Sequence, residues 1–238
     1  MARTGRRDAD VKHHGALKAA GTAPTEEPDG YARSSLTPST ARGEVTKRRI
    51  LDVAEEVFGE QGYYEASVSE ITRRAGVAQG TFYIYYHSKL EIFVELIADL
   101  GARVRGAMRE ATLDVPGRLE AERRGFAAFF AFVRDHRRIY RIVQEAERVA
   151  PDAAHDYYRR ISEGYVRGLT AAMATGEIRQ LDPEATAYAL MGIGHFLALR
   201  WLVWPQPDGE TGESGIPTEV YESVVQLIEH GLAGEKAP

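Results

Sequence analysis

Large apolar residues recur at three- and four-residue intervals along most of the chain that follows residue 43. In the first such segment five of them fall on one helical face: Ile50, Leu51, Ala54, Val57 and Phe58. This spacing is typical of amphipathic α-helices, and no segment shows the alternation expected of a competing strand. The sequence therefore predicts an all-α protein.

Helix-capping and helix-ending residues divide this pattern into short segments. Gly62 predicts the end of the first helix. Ser67 and Glu70 form a capping box, in which the hydroxyl accepts a hydrogen bond from a backbone amide and the carboxylate reaches back. The second helix ends before Gly76, which permits a tight turn into a third short helix over residues 79–86. Two short helices joined by a glycine turn predict a helix-turn-helix.

The later helices are predicted from their starts. Ser88 caps a long helix that begins at Lys89, and prolines stand near the starts of the helices that follow. We predict these at residues 117–134, 136–149, 152–175, 183–204 and 217–233. The segment from Pro205 to Gly215 is rich in proline, glycine and acids, and is predicted to be a flexible loop.

Four aromatic rings occupy five consecutive positions in the stretch "VAQGTFYIYYHSK", residues 77–89. On a helical wheel Phe82 and Tyr86 lie one turn apart and face the first helix, which gives the third helix an inner side. The outer side combines small and polar residues at the helix start with hydroxyl-bearing rings. Such a side suits the major groove of DNA, where Gln79 and Thr81 meet base edges while tyrosine and lysine hold phosphates.

A longer pattern surrounds this segment: "RRILDVAEEVFGEQGYYEASVSEITRRAGVAQGTFYIYYHSK" couples an apolar first helix to a G-V-x-x-G-T-hydrophobic-Tyr helix. The run from Thr46 to Leu90 resembles the DNA-binding domain of TetR-type transcriptional regulators. It departs from the family pattern at Tyr86, where an apolar ring is usual, and at Thr72, where alanine is common. The resemblance implies a homodimeric repressor with an N-terminal domain for operator double-stranded DNA, a C-terminal domain for a hydrophobic effector, and a dimer interface in the last two helices.

Matching motif positions assigns the candidate DNA contacts. Base-edge or groove contacts are expected at Gln79, Gly80, Thr81, Tyr83 and Ile84, and phosphate contacts at Ser69, Tyr85 and Lys89. The alternative for each is an ordinary exposed residue that makes no DNA contact. For Ser69 the sequence supports the two interpretations almost equally. The formal net charge of −5 gives no general attraction to DNA, so binding must depend on where the basic groups lie.

Residues 1–42 lack helical periodicity and carry few large apolar groups, so we predict a disordered tail. It is followed by a DNA-binding domain over residues 43–90 and a ligand-binding and dimerisation domain over residues 91–238. The tail holds seven Lys or Arg residues and five acids. It is either a basic arm that reaches DNA or a solvated segment without a role, and the second is expected.

The helices after residue 117 carry many aromatic rings at core spacing. Packing explains any single ring, although aromatic walls with a few hydroxyls also suit an apolar ligand pocket. We predict a hydrophobic tunnel lined by Phe126, Phe129, Phe130, Val133, Tyr140, Val143, Tyr158, Tyr165 and Phe196.

The segment "YRIVQEAERVAPDAAHDYYRRISEGY", Tyr140 to Tyr165, is similar to the corresponding part of TetR-type regulators of lipid metabolism that sense long-chain acyl-coenzyme A (acyl-CoA). This resemblance implies long-chain acyl-CoA or fatty acid as the effector. The alternative is a drug- or xenobiotic-sensing repressor of an efflux system. Five arginines either meet the coenzyme phosphates or form surface ion pairs: Arg137, Arg138, Arg141, Arg159 and Arg160.

Small and large apolar residues form one stripe on each of the last two helices, which favours a four-helix dimer interface. The predicted interface comprises Tyr188, Gly192, His195, Leu199, Val220, Val224, Leu227 and Ile228. The alternative is intramolecular core, which some of these residues must form. His195 is expected to be packed rather than to act as a ligand or base.

Motifs of enzymatic chemistry are absent from the sequence. It contains no His-Glu-x-x-His helix, no Walker loop and no nucleophile elbow, and the pair Gly192 and Gly194 follows no predicted strand. We therefore expect no catalytic residues, no cofactor and no metal, and we rank an enzyme below a regulator. An architectural DNA protein or an adaptor without DNA binding remains a third class.

The cellular location is predicted from the absence of two signals. The polar first residues lack the apolar core of an export signal, and the most apolar stretch, Met191 to Trp204, is too short to cross a bilayer. The chain has no cysteine, which excludes disulfides and fits a reducing cytosol. We expect a cytoplasmic protein.

Overall fold

The computed structural model describes residues 40–204 and 215–233. These residues form helices joined by short turns, with one isolated bridge between Ile178 and Ala233, which confirms the all-α class. The helices are α1 Ala41–Gln61, α2 Val68–Ala75, α3 Gln79–Tyr85, α4 Lys89–Thr112, α5 Arg118–Asp135, α6 Arg137–Val149, α7 Pro151–Ala174, α8 Pro183–Ala198 and α9 Thr218–Leu232. Helix α8 continues as a π-helical segment, Leu199–Val203. The predicted tail, apart from its last three residues, and most of the predicted 205–215 loop lie outside the described residues.

The predicted capping residues of the N-terminal helices are confirmed, with one correction. Gly62 and Gly76 have φ values of 79° and 64°, and each donates its amide to the end of the preceding helix. The Ser67 hydroxyl accepts a hydrogen bond from the Glu70 amide at 3.1 Å. The Glu70 carboxylate, however, does not reach back to the cap, because it binds the guanidinium groups of Arg73 and Arg74 instead. Only half of the predicted capping box forms.

The first hydrophobic cluster holds the helix-turn-helix together. It combines the inner residues of α1 to α4 with residues of α6 and α7, among them Ile142, Ala146 and Tyr157. Phe82 and Tyr86 are fully buried in it, which confirms the predicted inner side of α3. Because α6 contributes to this cluster, a movement of α6 would change the packing of the residues beneath the helix-turn-helix.

The second hydrophobic cluster joins α5, α7, α8 and α9. Within the described ranges, α8 and its π-helical continuation, Pro183–Val203, form the one segment long and apolar enough to span a membrane, with a mean hydropathy of 1.3. The segment is longer than the apolar stretch predicted from the sequence, since the helix runs through His195 and Arg200 without a break. Leu190, Ala198 and Leu202 pack in the second cluster, so part of its apolar character serves the core.

Candidate nucleic-acid interface and effector cavity

The outer side of α3 is open to solvent. Gln79 and Gly80 are exposed at its start, and the side chains of Tyr83 and Ile84 are 47% and 49% exposed. A Cβ added at Gly80 would meet no atom of the chain within 4 Å, so internal packing does not require glycine there. The helix thus presents two large side chains beside a position without a side chain, which leaves room for close approach of another molecule.

The remaining candidate DNA contacts differ in their accessibility. Ser69 is exposed on α2, and Thr81 and Tyr85 are half-buried on α3. The Lys89 ammonium donates to the carbonyl oxygens of Tyr63 and Ala66 at 2.8 Å, and to that of Tyr64 at 3.3 Å. All three N–H donors of an ammonium are therefore in use inside the chain. The phosphate contact assigned to Lys89 stays a prediction, and the structure gives this residue a second role, in holding the α1–α2 loop.

Both departures from the family pattern have a local explanation. Thr72 is buried, and its hydroxyl donates to the Ser69 carbonyl at 3.1 Å. The buried Tyr86 hydroxyl lies 3.4 Å from a Glu95 carboxylate oxygen, and burial raises the pKa of this tyrosine. Each added hydroxyl therefore finds an acceptor, so neither substitution leaves an unsatisfied polar group in the core.

Ion pairs occupy several basic residues near the helix-turn-helix. Arg73 and Arg74 both donate to Glu70, and these hydrogen bonds lower the pKa of Glu70 to about 2. Arg74 also binds Glu60 at 2.7 Å. Arg73 keeps 70% of its side chain exposed, so of these two arginines it is the one placed to meet a phosphate.

An apolar cavity of about 50 Å³ lies among α4 to α8. Six of the nine predicted effector residues line it: Phe126, Phe129, Tyr140, Val143, Tyr158 and Tyr165. The structure places the other three elsewhere, since Phe130 and Val133 pack in the second cluster and Phe196 is 66% exposed on α8. Sequence reasoning missed the contribution of α4, Val104 and Met108, which lies on the same apolar stripe as the predicted core residues of that helix.

The largely apolar wall of the cavity includes a hydrogen-bonded polar pair, Tyr140 and His195. The Tyr140 hydroxyl makes a short hydrogen bond with His195 Nδ1 and lies 3.3 Å from the His195 carbonyl oxygen. Burial raises the pKa of Tyr140 and lowers that of His195. Burial therefore favours the neutral form of the imidazole. His195 was predicted for the dimer stripe, and the structure places its side chain, half-buried, in the cavity wall.

Helix α6 connects the cavity to the helix-turn-helix. Its residues Tyr140 and Val143 line the cavity. On the same helix, a Glu145 carboxylate oxygen accepts a hydrogen bond from the Tyr63 amide at 2.8 Å, in the loop between α1 and α2. Arg138 lies 3.4 Å from Glu60 of α1. One helix of 13 residues thus contacts both the cavity and the loop that precedes α2.

The predicted dimer stripe divides into buried and exposed residues. Leu199 and Ile228 are 4% and 5% exposed and belong to the second cluster, so they form intramolecular core. Tyr188 and Leu227 are 42% and 65% exposed. Phe196, two turns after Tyr188 on α8, is also exposed, and Gly192 of α8 and Val220 of α9 are half-buried.

Comparison with known proteins agrees with the geometry of the helix-turn-helix. The family model of bacterial regulatory proteins, tetR family, matches residues 50–96. Residues 50–96 thus match the DNA-binding domain of the tetR family. An uncharacterized HTH-type transcriptional regulator, YdgC of Bacillus subtilis, is 43% identical over 65 residues, which are 27% of this chain and 33% of YdgC. The HTH-type transcriptional activator FasR of Mycolicibacterium smegmatis is 35% identical over 124 residues, half of this chain and 53% of FasR.

Solved structures of TetR-like regulators share the fold over most of the described chain. The fatty acid degradation regulator FadR from Bacillus halodurans has a TM-score of 0.65 at 21% identity, covering 77% of this chain and 94% of FadR. The transcriptional regulator FadR from Bacillus subtilis in complex with stearoyl-CoA has a TM-score of 0.63 at 23% identity, covering 76% and 96%. The alignments span about a third of YdgC and about half of FasR, so the family match applies to the N-terminal domain, and the solved structures show the fold of the chain.

Proposed function

We propose that this TetR-family protein is a transcriptional regulator in the cytoplasm, which binds operator DNA as a homodimer and changes its DNA affinity when a hydrophobic ligand enters the cavity. It is not an enzyme. The observation that carries the proposal is the two-sided α3. Phe82, and Tyr86 directly after the helix, are fully buried, while Tyr83 and Ile84 are about half exposed. Anchored inner rings hold the helix at a fixed angle, and the open outer side is free to enter a major groove.

On DNA, the start of α3 meets base edges and the surrounding residues meet the backbone. Gln79 and Thr81 supply hydrogen-bonding groups, and the absence of a side chain at Gly80 allows close approach. Tyr83, Tyr85 and Ser69 add hydroxyl groups that reach phosphates or base edges. Lys89 acts mainly through the backbone carbonyls that it holds, which fixes the loop before α2.

The homodimer forms through the exposed apolar face of α8 and α9. Tyr188, Phe196 and Leu227 form this face, together with Gly192 and Val220, and a two-fold axis brings it against itself. Burial of such a face in a second copy removes an apolar patch from water. The two α3 helices then read half-sites in successive major grooves, about 34 Å apart.

The effector is a long-chain acyl ligand, either acyl-CoA or a free fatty acid. The apolar lining supports this class, as does the fold shared with a FadR that is solved with stearoyl-CoA. The cavity volume of about 50 Å³ is well below the several hundred Å³ typical of ligand pockets. A ligand of this size therefore enters only by displacing the walls.

Displacement of the cavity wall is transmitted to the helix-turn-helix through α6. A chain that pushes Tyr140 and Val143 outward moves the helix that also carries Glu145, and Glu145 holds the Tyr63 amide. The residues packed beneath the helix-turn-helix shift, and the spacing of the two α3 helices in the dimer no longer matches successive major grooves. Ligand binding and DNA binding then oppose each other by their differential affinity for two conformations. Release of a repressor is the direction proposed.

The test is salt-dependent binding to the DNA upstream of the protein's own gene, with and without palmitoyl-CoA, palmitate or a planar aromatic drug. Tyr83→Ala is expected to weaken binding by about tenfold or more, which corresponds to a loss of at least about 1.4 kcal/mol of binding free energy. Leu113→Ala, which truncates a 62% exposed side chain at the far end of α4, is the matched control. Equal affinity of both variants and the wild type would remove α3 from the interface, and release only by the drug would favour the efflux-type regulator.

A further inference from the structure

A second and larger cavity lies between α4, α5 and α7. Its volume is about 740 Å³, and its lining mixes polar and apolar groups, whereas that of the first cavity is mostly apolar. Five arginines surround it: Arg105, Arg109, Arg118, Arg160 and Arg167. Two carboxylates, Glu122 and Glu163, also face it. This basic cleft therefore carries an excess of positive charge on a chain whose net charge is −5.

Most of these arginines form no salt bridge with the residues that the structure describes. Among residues 40–204 and 215–233, Arg105, Arg109, Arg160 and Arg167 form no salt bridge, and their guanidinium groups make none of the hydrogen bonds found there. The two carboxylates are already engaged, since Glu163 accepts from Arg159 at 2.5 Å and Glu122 accepts from Arg118. Of the four arginines, Arg160 alone lies close enough to a carboxylate, Asp156, to help lower its pKa. Guanidinium groups around one cleft repel each other, and an anionic ligand relieves that repulsion.

The basic cleft and the apolar cavity share a wall. Met108, Ile161 and Tyr165 line both of them. Arg118 stands at this wall, with its guanidinium 5.8 Å from the centre of the Tyr165 ring. Its Nε is buried without a hydrogen-bond partner, although its terminal nitrogen binds Glu122, which is only 4% exposed. A ligand that occupies both cavities would cross this wall, with its polar part on the side of Arg118.

We propose that the basic cleft binds the phosphorylated head group of the effector, so that the effector is acyl-CoA and not a free fatty acid. The inference rests on the proposed function for the acyl chain and adds the site that recognises the head. Charge-assisted hydrogen bonds from guanidinium groups to phosphate oxygens are among the strong polar interactions in proteins. A single carboxylate at the end of a fatty acid would leave most of the four arginines without a partner, whereas the several phosphates of coenzyme A match them. The volume also suits a nucleotide-sized group.

Sequence reasoning placed the phosphate-binding arginines differently. Of the five arginines named from the segment Tyr140–Tyr165 and its flank, Arg160 alone lines the cleft, while Arg138 and Arg159 form ion pairs. The missed pair, Arg105 and Arg109, is spaced by four residues on α4 and so shares one helical face. That spacing was visible in the sequence, but the packing of α4 against α5 and α7 was not.

The test measures ligand binding to the DNA-free protein by calorimetry, with palmitoyl-CoA, palmitate and coenzyme A alone. The double variant Arg109→Gln/Arg167→Gln changes two exposed residues and leaves the core untouched. We expect it to weaken palmitoyl-CoA binding by at least about tenfold, since two charge-assisted contacts are lost, and to leave palmitate binding unchanged. Coenzyme A alone is expected to bind the wild type in a salt-sensitive manner. The matched control, Arg141→Gln/Arg148→Gln, removes two exposed arginines of α6 that lie outside the cleft.

Three results would overturn the inference: failure of coenzyme A alone to bind, equal affinity of the wild type for palmitoyl-CoA and palmitate, or equal weakening by the double variant and its control. Failure of the proposed function is recognised separately, by the operator-binding assay. A protein that binds its operator and responds equally to palmitate and palmitoyl-CoA keeps the regulatory function and loses the head-group site. A protein that binds coenzyme A through the cleft but no operator keeps the site and loses the regulatory function.

Discussion

The two hydrophobic clusters of the chain are packed to different degrees. In the described residues, eleven of the twelve largest side chains that are fully buried belong to the cluster around the helix-turn-helix, and Leu169 is the one from the second cluster. The second cluster supplies Phe126, Tyr140 and Leu190 to the wall of the apolar cavity, to which the first cluster adds Val143 and Tyr157 at its edge. A densely packed core has one low-energy arrangement, whereas a core beside cavities can rearrange at lower cost. The difference suits a rigid element, the helix-turn-helix, which presents α3, and a deformable element, the C-terminal bundle of α5 to α9, which receives a ligand.

The largest expected effect comes from opening the dense cluster. Phe82→Ala removes a fully buried ring and is expected to lower the free energy of unfolding by about 3–5 kcal/mol. Tyr83→Ala, one residue further along the same helix, truncates a half-exposed ring and is expected to change it by less than about 1 kcal/mol. Chemical denaturation of both variants measures the contrast. Similar losses from the two substitutions would contradict the division of α3 into an inner and an outer side.

The next effect tests whether Lys89 belongs to the packed element or to the DNA surface. Lys89→Met keeps the length of the side chain and removes the donors to Tyr63, Tyr64 and Ala66. Three carbonyl oxygens lose their partner, so we expect a loss of about 1–3 kcal/mol of stability. Arg49→Met, which removes an exposed cation of α1, serves as the control for charge alone. Unchanged stability of Lys89→Met together with weaker DNA binding would return this residue to a phosphate contact.

The helix-turn-helix was largely predictable from the sequence, because its signals are local. Ser67, Gly76 and Ser88 act within three or four residues of themselves, and the structure confirms all three caps. The second role of Lys89 was not visible, since its acceptors lie 23 to 26 residues away. The Glu70 carboxylate was misjudged for a different reason: two arginines within one turn compete successfully with the backbone amide.

The C-terminal bundle was less predictable, because a helical wheel identifies an apolar face without identifying its partner. Phe196 and Leu199 both follow the apolar pattern of α8, yet one is 66% exposed and the other 4%. The side on which an apolar residue packs depends on α5 and α7, which approach from distant parts of the chain. The same limit hid the basic cleft, whose arginines come from three helices.

A smaller effect is expected at the connection between the two elements. Glu145→Ala removes the acceptor for the Tyr63 amide, and a lost hydrogen bond to a charged group costs about 1.5–3 kcal/mol. More informative is the coupling: the ratio of DNA affinities with and without palmitoyl-CoA is expected to move toward one. Glu145→Gln keeps an acceptor oxygen and is expected to restore part of the coupling, and Arg141→Ala on the exposed side of α6 is the control. Full coupling in Glu145→Ala would show that the signal travels by another route.

The smallest expected effect concerns pH and the deformable element alone. Burial lowers the pKa of His195 below its usual value of about 6.5, against the opposing influence of Glu147, so the folded bundle favours the neutral ring. The corresponding stability is fully present above the pKa of the unfolded chain and is lost as the pH falls through that of the folded protein. His195→Gln keeps a polar partner for Tyr140 but cannot gain a proton, so its stability should fall less than that of the wild type between pH 7 and roughly 5. Protonation would also place a charge in the cavity wall, and it should weaken binding of an acyl chain over the same range. An NMR titration of the imidazole measures the pKa directly, and a value at or above 6.5 would mean that this wall is hydrated and that the cavity is already open to water.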